Sequence, residues 1–160
     1  MADIQTLRAR DVIASKLAYC YLTVGSDRYL LMMAKKLEAK LEKEKQDVPI
    51  LGRMSKGHKA TSMNGTGSMT VYQVTSLFTD MVKKFQDTGE DTYFDIQVIN
   101  EDPTSAAGRQ TVILKDCNLD STVIAAFDAD SDDWLEQEMD FTFESFENPE
   151  KFAELDGVKQ

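Results

Sequence analysis

Apolar and polar residues alternate over much of this chain, and only one stretch repeats at helical spacing. Alternation predicts strands, because successive side chains leave opposite faces of a pleated backbone. Residues 17–24 (LAYCYLTV) are rich in β formers. Gly25-Ser26-Asp27 reads as a turn, and Tyr29 restarts an apolar run, so a hairpin is predicted. In residues 68–75, Met69, Val71 and Gln73 point one way and Thr70, Tyr72 and Val74 the other. Residues 93–99 alternate again. Residues 110–117 and 122–127 read as two strands joined by 118–121. Residues 134–146 alternate most clearly: Leu135, Met139, Phe141 and Phe143 share one side, and Glu136, Glu138, Asp140 and Glu144 the other. Asn148-Pro149 closes that strand, and 147–160 reads as a tail with a turn or short helix. The helix is expected over 76–88, with Ser76 as N-cap, Leu77, Phe78, Met81, Val82 and Phe85 as its apolar stripe, and Gly89 as its stop. Its other face carries Asp80, Lys83, Lys84 and Asp87.

Residues 29–46 fit two periods. Leu30, Met33, Leu37 and Leu41 make a helical stripe of strong helix formers, whereas Leu37, Ala39 and Leu41 also alternate with Lys36, Glu38, Lys40 and Glu42. Propensity favours helix; the hairpin just before favours one long strand. Residues 48–64 hold several glycines and follow Pro49, and read as a long loop. Residues 1–16 have scattered apolar positions, and an arm that orders on a neighbour is expected there. Together these give a mainly β chain, an antiparallel sandwich or open barrel with one packed helix, in a single domain spanning 1–160.

A length of 160 residues suits one sizeable core. The formal net charge of −10 argues against a nucleic-acid grip, which needs a positive footprint. Residues 1–10 lack the apolar core of a signal peptide, and the run 29–34 is too short to span a bilayer. Cys20 and Cys117 stand in apolar surroundings and read as buried thiols rather than a disulfide.

Candidate chemistry is thin. Gly52 and Gly57 have the spacing of a phosphate-cradling loop, but the Lys and Ser/Thr of that motif are missing, His58 standing first after Gly57, and a strand follows instead of a helix. Asp128, Asp130 and Asp132 resemble a calcium loop, yet the glycine and glutamate it needs are replaced by Asp133 and Met139. Paired carboxylates among Glu136, Glu138, Asp140 and Glu144 could serve a glycosidase, but a solvated strand face is the commoner reason for such alternation. Trp134, Phe141, Phe143 and Phe146 could stack on a ligand; on an alternating strand they are expected in the core. No cofactor or metal is expected, and no catalytic residue stands out.

Gly52-Arg53, Gly57-His58-Lys59, Thr61, Gly65-Thr66-Gly67, Thr70, Tyr72 and Val74-Thr75-Ser76 resemble the signature of tail tube proteins of contractile phage tails. The stretch is similar to the tubes of PBSX-type prophages, a group that also occurs in phage-tail-like bacteriocins. Phe141-Thr142-Phe143-Glu144-x-Phe146 and Pro149-Glu150-Lys151 resemble that family's C-terminal end, and residues 1–8 extend beyond its usual start. The resemblance favours strand over helix for 29–46. It implies a non-enzymatic structural subunit that forms hexameric rings with itself, stacked into a hollow tube inside a sheath. Implied partners are the sheath, baseplate, tail terminator and tape-measure proteins. Assembly is implied in the bacterial cytoplasm, with the tube then part of the particle. The 48–64 loop would reach the next ring through Arg53, Met54, Lys56, Gly57, His58, Lys59 and Thr61, and the polar helix face would lie outward.

The acidic face adds a physical argument of its own. Residues two apart on one strand face are about 7 Å apart, within a Debye length of about 8 Å, so their charges repel unless water fills the space before them. A lumen supplies that water. Glu136, Glu138 and Asp140 are therefore expected to line the channel, with Lys36 and Lys40 offsetting part of the charge. The competing reading is a small ligand-binding or hydrolytic β domain that uses the stretch from Gly52 to Gly67.

Overall fold

The computed structural model describes residues 4–159. After a 3-10 turn at Ala9–Asp11 come β1 (Ala18–Val24), β2 (Asp27–Leu30), β3 (Ala34–Val48) and β4 (Gly57–Tyr72), then helix α1 (Leu77–Thr88), then β5 (Phe94–Glu101), β6 (Arg109–Thr122), β7 (Glu136–Phe143) and β8 (Ser145–Glu150). The described chain forms two compact units, with β6 contributing its first half to one and its second half to the other.

The first unit runs up to Met32 and adds Phe94–Lys115 and the segment from Phe146 onward. Here β1 pairs antiparallel with β2 and with β5, and β8 pairs with β6. Gly25 turns the β1–β2 hairpin with φ +58°, a conformation that costs glycine little. Leu22, Leu31, Phe94, Ile96 and Leu114 form the core. The N-terminal segment is held here. The buried Asp102 carboxylate accepts from the Ala14 N–H at 3.1 Å and the Thr104 N–H at 3.0 Å, and Ser105 Oγ donates to the Asp11 carbonyl at 2.8 Å. The expected arm 1–16 is thus tied down from Asp11 on, while its first three residues lie outside the described ones. Burial pushes the half-buried Cys20 thiol up to about 12, so it stays protonated near neutrality. Neither cysteine is in a disulfide.

The second unit comprises Met33–Tyr93 and Asp116–Ser145. Its strands run in the order β6, β7, β4, β3, all antiparallel. One face buries Met69, Val71, Met139, Phe141 and Phe143, and α1 contributes Phe78 and Met81. Gly65 and Gly67 stand opposite Phe143 and Phe141 in the β4–β7 register. A Cβ on Gly67 would lie 2.4 Å from the Phe141 ring, so the glycines leave the space that the two rings fill. The helix begins beside Ser76, where Thr75 Oγ1 rather than the Ser76 side chain accepts from the Leu77 N–H, and it ends at Gly89 with φ +77°.

Several expectations are corrected. Residues 57–64 are not loop but the outer half of β4, so only 49–56 connect the strands. The cause is a long antiparallel register in which Glu44 accepts from Ser62 Oγ and Asn64 Nδ2, giving small polar residues strand partners. Residues 29–46 are extended but broken between Leu30 and Ala34, where Leu31 turns into the core. No strand forms over 123–127; β6 continues through 118–121, with a register shift between Leu119 and Ser121, and ends at Thr122. Strand β4 ends at Tyr72 rather than 75. The segment 134–146 is not one strand: a bend at Glu144 separates β7 from β8, and Pro149 lies within β8, so the tail begins as strand. Trp134, expected in the core, precedes β7 and is exposed, as are Leu135 and Phe146, and Phe85 of the helix stripe is half exposed.

The apolar row of β7 contains one amide. Gln137 is fully buried, and its Nε2 donates to the Val123 carbonyl at 2.8 Å, Thr122 Oγ1 at 3.1 Å and Thr79 Oγ1 at 3.3 Å. It joins α1 to the end of β6. Gln137→Leu keeps the volume but strands these partners, and a loss of about 1–3 kcal/mol is expected in urea unfolding. An unchanged midpoint would show that the network contributes nothing.

Candidate assembly surfaces

The face of β3, β4 and β7 opposite the core is polar. The register sets Lys36, Thr70 and Glu138 in one row and Glu38, Ser68 and Asp140 in the next, with Lys40 beside Thr66. Glu136 lies opposite Tyr72 on the same face. The five residues expected to share a wall, Lys36, Lys40, Glu136, Glu138 and Asp140, therefore do share one sheet face. Their pairing differs from expectation. A bulge between Ala34 and Lys36 swings Lys35 to Glu136, and Nζ donates to Oε1 at 2.5 Å. That hydrogen bond and the Glu136 charge raise the Lys35 pKa. Lys40 pairs with Glu42 on its own strand at 3.0 Å, which raises its pKa likewise. Among the described residues Glu138 makes no ion pair, and the Asp140 carboxylate accepts from Ser121 Oγ at 3.3 Å. Lys35 could not be singled out from the alternation, because a bulge breaks the period of two.

A second surface is the β3–β4 hairpin. Strand β7 covers β4 only between Gly65 and Tyr72, so the paired segments from Lys43 to Val48 and from Gly57 to Met63 project beyond it. Of the residues expected to reach a neighbour, Arg53, Met54 and Lys56 lie in the turn, and Gly57, His58, Lys59 and Thr61 on β4. His58 Nδ1 lies 2.8 Å from Asp47 Oδ1 across the strands. Ile50, Leu51 and Met54 make the turn apolar as well as basic. The ligand-binding alternative needed a cradle between Gly52 and Gly67; most of that stretch is instead a strand with its amides in a ladder.

The third surface is the outer face of α1. Asp80, Lys83, Lys84 and Asp87 are all exposed, with Lys83 paired to Asp87 at 3.1 Å one turn on. The acidic loop expected at 128–133 is part of a longer exposed segment between β6 and β7, residues 123–135, and the sequence reading missed that it presents Ile124, Phe127, Trp134 and Leu135 to solvent. Its signal was present: apolar side chains interleaved with aspartates at no regular period. Asp128, the first of the calcium-like series, instead accepts the Asp130 N–H at 3.0 Å in a local turn.

These surfaces can be set beside known proteins. A family model described as phage tail tube protein matches residues 5–150. The protein XkdM of the phage-like element PBSX of Bacillus subtilis (strain 168) is 40% identical over 148 residues, spanning 92% of this chain and 97% of that protein. A chain in the baseplate of the anti-feeding prophage, solved with six-fold symmetry, superposes with a TM-score of 0.64 at 11% identity, covering 90% of this chain and 97% of that one. A chain of the sheath–tube complex of the PVC extracellular contractile injection system gives 0.61 at 13% identity, covering 81% and 86%. At such identities the two structures show a common fold.

Proposed function

The chain belongs to the phage tail tube protein family and is a structural subunit of such a tube, and from this we propose how its surfaces are used. Copies close into hexameric rings, and rings stack into a hollow tube within a contractile sheath. The observation that carries the reading is the split of the second unit into an apolar face and a charged one, with Glu138 and Asp140 unneutralised by any cation within ion-pair distance among the described residues. Such a face is stable only against water. We assign it to the channel, where it also keeps phosphate backbones from adhering, since their affinity comes from cationic contacts. The α1 face with Asp80, Lys83, Lys84 and Asp87 is assigned to the exterior, facing the sheath. Baseplate, terminator and tape-measure proteins are the further partners, and the subunit assembles in the bacterial cytoplasm before it joins the particle.

Electron cryo-microscopy of tubes grown from the purified chain tests this directly. Rings of six with Glu138 and Asp140 on the inner wall and Lys83 on the outer are expected. Glu138→Lys with Asp140→Lys leaves the Lys35–Glu136 pair intact and turns the lumen basic. Variant tubes are then expected to retain a labelled DNA oligonucleotide at low salt and release it as salt rises, which wild-type tubes do not. A map with these carboxylates on the outer wall refutes the assignment.

A further inference from the structure

Two exposed surfaces of the second unit complement each other and lie at its opposite ends. The β3–β4 turn, residues 49–56, presents Leu51 at 102% and Met54 at 105% relative exposure, next to the cations of Arg53 and Lys56. Lys59 follows on β4. The segment 123–135 presents Phe127 at 95% and Trp134 at 77% exposure, next to Asp128, Asp130, Asp132 and Asp133. One surface is apolar and basic, the other apolar and acidic. Among the described residues none of these seven charged groups has an ion-pair partner within 4.0 Å.

The two cannot meet within one copy. Tyr72 pairs with Glu136, and the Gln73 N–H donates to the Leu135 carbonyl, so the 123–135 segment leaves the sheet at the Tyr72 end of β4. The Val123 N–H donates to the Glu138 carbonyl, which anchors its other root at the same end. The turn joins β4 at Gly57, the far end. At about 3.3 Å per residue, the length of β4 between them is about 50 Å. Exposed apolar patches rimmed by polar residues mark surfaces that a partner covers. Two complementary patches at opposite ends of one body make a head-to-tail contact, which repeats without closing and builds a filament.

We propose that the β3–β4 turn of one copy docks on the 123–135 segment of a copy in the next ring. Leu51 and Met54 lie against Phe127 and Trp134, and Arg53 and Lys56 face Asp128 to Asp133. The inference rests on the tube reading and names the surface that receives the turn. It also gives the stack a polarity, because the two ends of a tube then expose different chemistry. The opposite charges steer the register as a subunit approaches.

Sedimentation of the full chain across a concentration series, with negative-stain microscopy, tests it. Arg53→Glu with Lys56→Glu, and separately Asp132→Lys with Asp133→Lys, change only exposed side chains. Each pair is expected to raise the concentration at which tubes form about tenfold or more, in line with coupling between close interfacial charges. The chain carrying all four changes restores opposite charges and is expected to recover most of that loss. Circular dichroism of each variant reports whether the subunit itself is intact. Tubes forming at the wild-type concentration in either two-residue variant, or no recovery with all four, overturn the contact and leave the tube reading standing. A wild-type chain that never assembles overturns both.

Discussion

Gly67→Val is expected to leave no folded subunit, and Gly67→Ala to lower stability by about 3 kcal/mol or more. Overpacking a core usually costs about 1–3 kcal/mol, because neighbours shift to make room. Here they cannot. A Cβ at position 67 would meet the Phe141 ring at 2.4 and 2.7 Å and the backbone carbonyl of Glu38 at 2.9 Å. Phe141 is 1% exposed, so its ring has no space to swing into. The strain therefore passes into the β3–β4 and β4–β7 ladders. Against a domain stability of about 5–15 kcal/mol, a branched side chain at this point exceeds what the fold can absorb. Urea unfolding of the alanine variant measures the effect. Adding Phe141→Leu should recover part of it, since a smaller side chain opens the space that the Cβ needs. An alanine variant with the wild-type midpoint would mean that the ring moves freely and that the glycine is dispensable.

That pair also explains where the sequence was readable. Helix α1, the β1–β2 hairpin and the alternation of Leu37, Ala39 and Leu41 were legible, because each is a local pattern with its own punctuation. Residues 57–67 were not. Glycine, serine, threonine and asparagine in close succession read as loop, yet each has a partner on another strand: Gly65 and Gly67 under Phe143 and Phe141, Ser62 and Asn64 on Glu44. These relations exist only once a register is set, and nothing local sets it. Lys35 escaped for a related reason. The bulge beside it shifts the alternation by one, and the cation that meets Glu136 is the neighbour of the one that period two selects. Gln137 sits in an apolar row because it links three elements, a reason visible only when they pack. The charged face was recovered as a set because β7 and the inner part of β3 keep strict alternation. Trp134 was misplaced because its size was read as burial, although it has the parity of Glu136 and stands before the strand begins.

Cutting back the hairpin is expected to spare the subunit and abolish the tube. Lys43 pairs with Met63, so replacing residues 44–62 by Asn-Gly closes the strands with a two-residue turn in the same register. Every residue removed is exposed except Gly57, which is intermediate, so the core loses almost nothing. Thermal unfolding of the free subunit should stay within a few degrees of wild type, about 1 kcal/mol or less. A two-stranded ribbon of this length is marginal in water by itself. Its cross-strand hydrogen bonds to Glu44 and the Asp47–His58 pair are surface interactions worth little each. Burying Leu51 and Met54 against a neighbour would add about 1.5–3 kcal/mol apiece. Every subunit of a ring would add the same, so the contact between rings is multivalent and its loss is cooperative. The shortened chain should therefore show single rings or monomers by negative stain at concentrations where the full chain gives long tubes. Long tubes from the shortened chain would show that the rings stack through other surfaces.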